Sequence, residues 1–399
     1  MRLLLVGDGI SSFGTAISFV AIPLIATVTL KVSVFGVAAL TVISNIAWLI
    51  VAVPAGLLLD RFRRRPILIA CDLLRCGGML VIPLEAAFGG LQIWHLYVVT
   101  LLVGLFSVVA TVGAQAFIPQ VAEPDDLIRA NSILQGTQAT AQVAGPGIGG
   151  LVVQAVGGPW AAFLDAVSYG VSALCIGSMS DRPEAAHAPE HRDRHDEKDD
   201  VWTGFRYLRR RPDLMLITLG GATANVALTL IEALSIVFLV RDVKVSDSAV
   251  GILLGVGSLG SVLGAAAAAR ITRRYGVRRT LQLALFVTSP FSIGLALTFG
   301  YASLPLFVLG SALPMIGVVL FSVNIATLVQ QSTPDRILAR VSAAIRTFTR
   351  GSLPFGGVLG AIIGTVWSPR IGLVVGAVLL SSAGLAMLLL GRANEEETC

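Results

Sequence analysis

Charge is scarce in this chain. Only 13% of its 399 residues are Asp, Glu, Lys or Arg, about half the share of roughly 25% found in soluble globular domains. With 55% apolar residues and a mean hydropathy of +0.82, it has too few polar side chains to coat a water-facing surface, so it reads as an integral membrane protein. Cysteine is scarcer still. Cys71, Cys76, Cys175 and Cys399 form neither a CxxC nor a paired framework, and Cys399 lacks a CaaX box, so neither a disulfide scaffold nor prenylation is expected. HExxH, GxSxG and GxxxxGKS/T are all missing, which argues against an enzyme and against an ATP-driven pump within this chain. No stretch alternates polar with apolar residues as transmembrane β-strands do. The net charge of +5 sits in short loops rather than along one face, so nucleic acid is not an expected partner. A cleavable signal peptide is not expected either, because the first apolar stretch, 3–29, exceeds an h-region of about 7–15 residues. That stretch follows Met1 with only Arg2 between, an abrupt start that a misplaced initiation codon would explain.

What is present is a series of long apolar runs. A hydrocarbon core of about 30 Å needs about 20 apolar residues as helix. Twelve segments meet that test: 3–29, 35–59, 67–88, 93–118, 130–156, 159–179, 213–240, 249–269, 280–300, 303–329, 337–365 and 368–391. The fold class is therefore all-α membrane, with twelve transmembrane helices. The basic residues orient it. With the amino terminus inside, the opposite loops hold only Lys31, Arg241, Lys244 and Arg370 of the 29 Lys and Arg, so both termini belong in the cytoplasm. A hydrophilic stretch, 181–212, divides the chain into six-helix halves at 1–180 and 213–399. Its first part is charged and reads as a flexible linker. In its second part Trp202, Phe205 and Leu208 recur opposite the arginines, as in a short amphipathic helix lying in the inner headgroup layer.

The two halves resemble each other. Pro124-Asp125-Asp126, Arg129 and the run from Gly145 to Gly150 recur as Pro334-Asp335-Arg336, Arg340 and the run from Pro354 to Gly360. Arg129 precedes Gly145 by the same interval that separates Arg340 from Gly356. Parallel six-helix repeats of this kind build one class of secondary transporter.

Between the second and third spans lies a knot of one carboxylate and four arginines. Gly56, Asp60, Arg61, Arg64 and Arg65 match a loop signature of the major facilitator superfamily, which the chain resembles over essentially its whole length; the family has glycine where this chain has Arg63. A second copy between the eighth and ninth spans keeps Arg270, Arg273, Arg274, Gly276, Arg278 and Arg279 without the acidic residue. Gly145, Pro146, Gly149 and Gly150 resemble the Gly-Pro signature of exporters in that superfamily, with Ala141 and Ser132 where the pattern has further glycines. Pro119, Pro124, Asp125, Leu127, Ala130, Asn131 and the stretch Gly204–Leu208 are similar to the branch of macrolide-efflux and enterobactin-export permeases. The resemblance implies two pseudo-symmetric six-helix bundles rocking about a midplane cavity in a bacterial cytoplasmic membrane. It also implies proton-driven efflux of an amphipathic drug, antibiotic or siderophore-like metabolite. The alternatives are uptake of a small solute, or a membrane sensor or assembly protein without transport.

The charge knot must lie in water at a membrane face. Asp60 either latches the two halves by capping a facing helix N-terminus or, with its arginines, only anchors topology. The Gly-Pro element either bends the fifth span or lets a neighbour approach closely. Ionisable groups inside spans are functional candidates by default. Asp8, Asp165 and then Glu232 are the choices for proton coupling, against salt bridges or snorkelling ends. Glu85 is shallow, and Asp72 and Arg75, at i and i+3, read as a structural pair. Arg350 is a candidate for an anionic substrate group, and Arg346 reaches for lipid phosphate. Asn45, Asn225 and Asn324 offer cavity hydrogen bonds or helix-packing bonds. His187, His191 and His195 recur every four residues, but Pro189 interrupts any helix there, so no metal is expected and no cofactor either. The expected partners are a small amphipathic substrate, protons and the lipid bilayer, with the protein a monomer.

Overall fold

The computed structural model describes residues 2–121, 127–179 and 203–396; among these residues the regular structure is helical throughout. Helix α1 (Arg2–Leu24) runs into a π-turn at Ile25–Thr29, and α2 (Val34–Arg61), α3 (Arg64–Ala87), α4 (Ile93–Val121), α5 (Leu127–Val156) and α6 (Gly158–Gly177) follow. A short α7 (Thr203–Arg210) leads into α8 (Pro212–Phe238), which also ends in a π-turn, Leu239–Val243. Next come α9 (Asp247–Tyr275), α10 (Val277–Thr288), α11 (Ile293–Ala296), α12 (Leu304–Ser332), α13 (Asp335–Gly351), α14 (Leu353–Val366) and α15 (Pro369–Glu396). Every one of the twelve apolar segments contains helix. Among the described residues, eight helices are individually long and apolar enough to cross a bilayer.

Two segments differ from one unbroken helix. The segment 280–300 gives way to 3₁₀ geometry at Ser289–Ser292, because Pro290 has no N–H to continue the ladder. The segment 337–365 divides at Ser352, two residues before Pro354. By contrast, Pro146 sits inside an unbroken α5. The chain reversals have local causes. Ser33 Oγ accepts from Gly36 N at 3.2 Å and caps α2. Gly157 (φ 86°) and Gly276 (φ 78°) adopt the left-handed region just before α6 and α10.

The chain forms two compact units, Met1–Glu190 with Lys244–Gly255, and His191–Val243 with Val256–Cys399. In the first, α6 packs between α1 and α3, α5 lies on α1, and α4 covers α2 and α3. Leu4, Leu68, Phe117, Ile118 and Leu134 form its apolar core. In the second, α8 packs on α14 and α15, α10 on α12 and α15, and α7 on α13. Leu208, Leu214, Phe321, Val341 and Met387 meet there.

Helix α7 departs from the sequence expectation. Its apolar face meets protein, not a headgroup layer. Leu208 is fully buried, Phe205 lies edge-on to Phe348 at 5.7 Å, and Tyr207 Oη donates to Ser332 O at 2.9 Å. The strongly amphipathic α13 supplies the partner surface, and Arg206, Arg209 and Arg210 stay exposed. Trp202 lies outside the described residues. Just beyond, the Asp213 carboxylate bonds Arg211 at 2.8 Å and holds its guanidinium above its ordinary range.

Candidate functional site: a buried ionic cluster in the first unit

Five helices of the first unit, α1, α3, α4, α5 and α6, bring polar side chains to one place. On α3, Asp72 and Arg75 are one turn apart, both buried, and joined by a salt bridge. Arg75 also reaches Ser107 Oγ on α4 at 3.5 Å. Its guanidinium lies 4.4 Å from the centre of the Tyr169 ring on α6, a favourable place for a cation away from water. Tyr169 is fully buried, and its hydroxyl is 2.8 Å from Thr15 Oγ1 on α1. One turn before Tyr169, Asp165 is also 0% exposed. Its Oδ1 accepts from Ser168 Oγ at 3.1 Å, while its Oδ2 has no partner among the described residues. Ser18 on α1 faces this carboxyl group, close enough to act on it, and its hydroxyl has no hydrogen bond of good geometry among the described residues. Asp8, half-buried two turns before Thr15, accepts from Gln138 Nε2 of α5 at 3.4 Å. Asp8 and Asp165 both lie within electrostatic reach of Arg75.

Local sequence makes this meeting possible. Asp8, Thr15 and Ser18 follow helical spacing on α1, as do Asp165, Ser168 and Tyr169 on α6. Gly14 lets the two helices close: a Cβ there would stand 2.5 Å from Asp165 Oδ1 and nearer still to Ser168 Oγ. Each buried polar atom left unpaired costs about 1–3 kcal/mol. Among the described residues, Asp165 Oδ2, Ser18 Oγ and Arg75 Nε are all in that state, so the cluster holds unused donors and acceptors side by side. Such a set can take up or release a proton, or exchange hydrogen-bond partners.

The other sequence candidates are scattered. Glu232 is exposed on α8. Arg346 and Arg350 are exposed in the last turns of α13. Arg65 donates to the last carbonyls of α6, Gly177 O at 2.7 Å and Ile176 O at 3.2 Å, where a cation complements the helix dipole. Arg64 starts α3 beside it. Gly56, Asp60 and Arg61 fall in the last turns of α2, and their side chains lie outside the described residues. The Gly-Pro element mediates close packing. A Cβ on Gly149 would lie 3.0 Å from Ile17 O, Gly145 abuts Ala16, and Gly251 at the start of α9 abuts Pro146 and Gly150. Asn225 donates to Thr349 O at 2.8 Å and Asn45 to Thr41 O at 2.8 Å, while fully buried Asn324 accepts from Thr272 at 3.1 Å. These amides are taken up in helix bonds. Glu85 faces His95 at 3.9 Å. His187, His191 and His195 lie outside the described residues.

Sequence reasoning set Arg75 aside as half of a local pair and did not single out Tyr169, Thr15, Ser18, Ser107 or Gln138. Nothing in the spacing of α3 announces that Arg75 faces α6. The one available signal was Tyr169 one turn from Asp165 within an apolar helix.

A family model, "Major Facilitator Superfamily", matches residues 4–353 and again 229–398. The chain is 27% identical to the "Multidrug efflux pump Tap" of Mycolicibacterium fortuitum, over 86% of this chain and 82% of that protein. It is 22% identical to the "Uncharacterized MFS-type transporter YvqJ" of Bacillus subtilis, over 82% and 77% of the two chains. Among solved structures, the nucleoside transporter NupG superposes with a TM-score of 0.73 at 12% identity, covering 98% of this chain and all of the other; that likeness concerns the fold.

Proposed function

The chain belongs to the Major Facilitator Superfamily, and from that premise we propose that it exports amphipathic organic molecules in exchange for protons. It is a multi-pass membrane transporter of small substrates and not an enzyme. The likeness to a multidrug efflux pump over most of both chains favours export and a drug-like substrate. Asp165 supports the proton half of the reading. A carboxyl group shut away from water, with one oxygen unpartnered, is ill suited to hold a permanent charge.

In this reading the transporter works by alternating access as a monomer in a bacterial cytoplasmic membrane, with both termini inside. The six-helix halves are 1–180 and 213–399. Asp165 and Asp8 take up a proton on one side and release it on the other, and Glu232 and Arg350 are further contacts for protons or substrate. Asp60, with Arg61, Arg64 and Arg65, latches the halves on the cytoplasmic side. The packing of Gly145, Pro146, Gly149 and Gly150 biases their rocking.

The test is flux in proteoliposomes holding the purified full chain, with ethidium as the probe and an imposed pH gradient. Asp165→Asn and Asp8→Asn are expected to lower gradient-driven export at least tenfold while both proteins still insert. Gradient-driven export at wild-type rates in both variants would remove these assignments. Wild-type flux that ignores the gradient would remove proton coupling altogether.

A further inference from the structure

The Asp72–Arg75 pair has more to do than neutralise itself. A guanidinium has five N–H donors. Arg75 gives one to Asp72 and a long one to Ser107 at 3.5 Å, and its Nε has no partner among the described residues. Its planar face rests on Tyr169, which is fixed on its far side by Thr15. One turn along the same helix, Asp165 Oδ2 is an idle acceptor. Among the described residues, a cation with unused donors and a carboxyl with an unused oxygen therefore share one buried interior, with the Tyr169 turn between them.

We propose that Arg75 is the positioning residue of proton coupling: its guanidinium is held by Asp72 and Tyr169 while Asp165 carries a proton, and shifts toward Asp165 when that proton leaves. This deepens the exporter reading and rests on it. With a proton on Oδ2, Asp165 can donate to the idle Ser18 hydroxyl and still accept from Ser168. Without it, the cation nearest at hand among the described residues is Arg75, stacked on Tyr169 one turn from Asp165. The groups facing the cluster account for the balance. Helix α1 contributes Asp8, Thr15 and Ser18, and α3 contributes Cys71, Asp72 and Cys76. Tyr169 lies on α6 itself, α4 contributes Ser107, and α5 contributes the uncharged Gln138 on Asp8. Arg75 is the one cation in this set, so its position decides which carboxylate is neutralised. The Tyr169–Thr15 bond ties that choice to α1, so the proton's arrival is felt on three helices at once.

The experiment separates this inference from the exporter reading. Infrared absorption of protonated carboxyl groups is recorded against pH on the purified full chain in nanodiscs, and the Asp165 band is assigned by its loss in Asp165→Asn. In Arg75→Gln the midpoint of that band is expected to move by about one pH unit or more. In Arg75→Lys, which keeps the charge but loses the fork, it should lie between the two. Arg75→Gln is also expected to flatten the pH profile of ethidium export. If the Asp165 midpoint is the same in wild type, Arg75→Lys and Arg75→Gln, Arg75 does not position the proton site, whatever the flux shows. If the midpoint moves but wild-type export ignores the gradient, the exporter reading fails, and the coupling role of Arg75 fails with it.

Discussion

Helices α1 and α8 share a backbone plan, while the two units differ in what they bury. Helix α1 and helix α8 both end in a π-turn followed by a lysine with positive φ, Lys31 at 50° and Lys244 at 60°. This is a local signature of the repeat that the Pro-Asp and Gly-rich segments announce in sequence. Their interiors have diverged. Among the described residues, the buried ionisable acids and bases Asp72, Arg75, His95 and Asp165 all lie in the first unit. The second buries Thr218, Thr229, Ser235, Thr280, Ser289 and Asn324, of which Thr218, Ser235, Thr280 and Asn324 return their hydrogen bonds to carbonyls of their own helices. One unit is a charge store and the other a packed scaffold. A repeat can keep its turns while only one copy acquires ionic chemistry, because turn geometry depends on a few backbone positions and the interior depends on every facing side chain.

The largest effect that would sharpen this contrast is at Asp72. Asp72→Ala leaves Arg75 buried without its ion-pair partner, and breaking a buried pair costs about 3–5 kcal/mol. Thermal unfolding of the purified protein in detergent should show a loss of that order. Among the described residues, the second unit has no buried ion pair in which a single truncation would unpair a buried cation. A loss below about 1 kcal/mol would mean that water or Asp165 already serves Arg75, and Asp72 would not be the partner that holds this buried cation.

Much of this was legible in the chain itself. The twelve apolar runs could be read because hydrocarbon thickness sets a minimum length that soluble helices do not need. Asp8 and Asp165 stood out because a carboxylate inside such a run has no cheap explanation. Arg75 did not, because Asp72 three residues away gave it a sufficient local partner, and a helix face carries no mark of which neighbour it will meet. Gly14 was silent for the same reason: its value lies in the Asp165 and Ser168 side chains that close on it from α6. The apolar stripe of α7 was visible in sequence, but whether lipid or protein covers such a stripe depends on α13, more than a hundred positions away.

A middle-sized effect belongs to the turn before α10. Gly276 has φ 78° with open space where a Cβ would go, so any penalty there is backbone strain alone. Gly276→Ala should cost about 1–2 kcal/mol, read as a lower unfolding temperature with unchanged ethidium flux. A neutral substitution would show that this turn relaxes to negative φ without consequence.

The smallest effect lies at the matching turn of the first unit, and it bears most directly on how the copies diverged. The family signature has glycine where this chain has Arg63, yet the turn forms without one: Arg63 sits at φ −59° and ψ 127°, ordinary extended backbone for an L-residue, directly before α3. The first copy therefore turns the corner through negative φ and the second through positive φ at Gly276. Arg63→Gly gains no conformational relief and adds unfolded-state freedom, so it should destabilise by about 0.4–1 kcal/mol, with a further small loss of whatever the guanidinium touches. Stabilisation by Arg63→Gly would mean that the arginine is held there against the preference of the backbone. The basic side chain, not the turn, would then be what this copy of the loop retains.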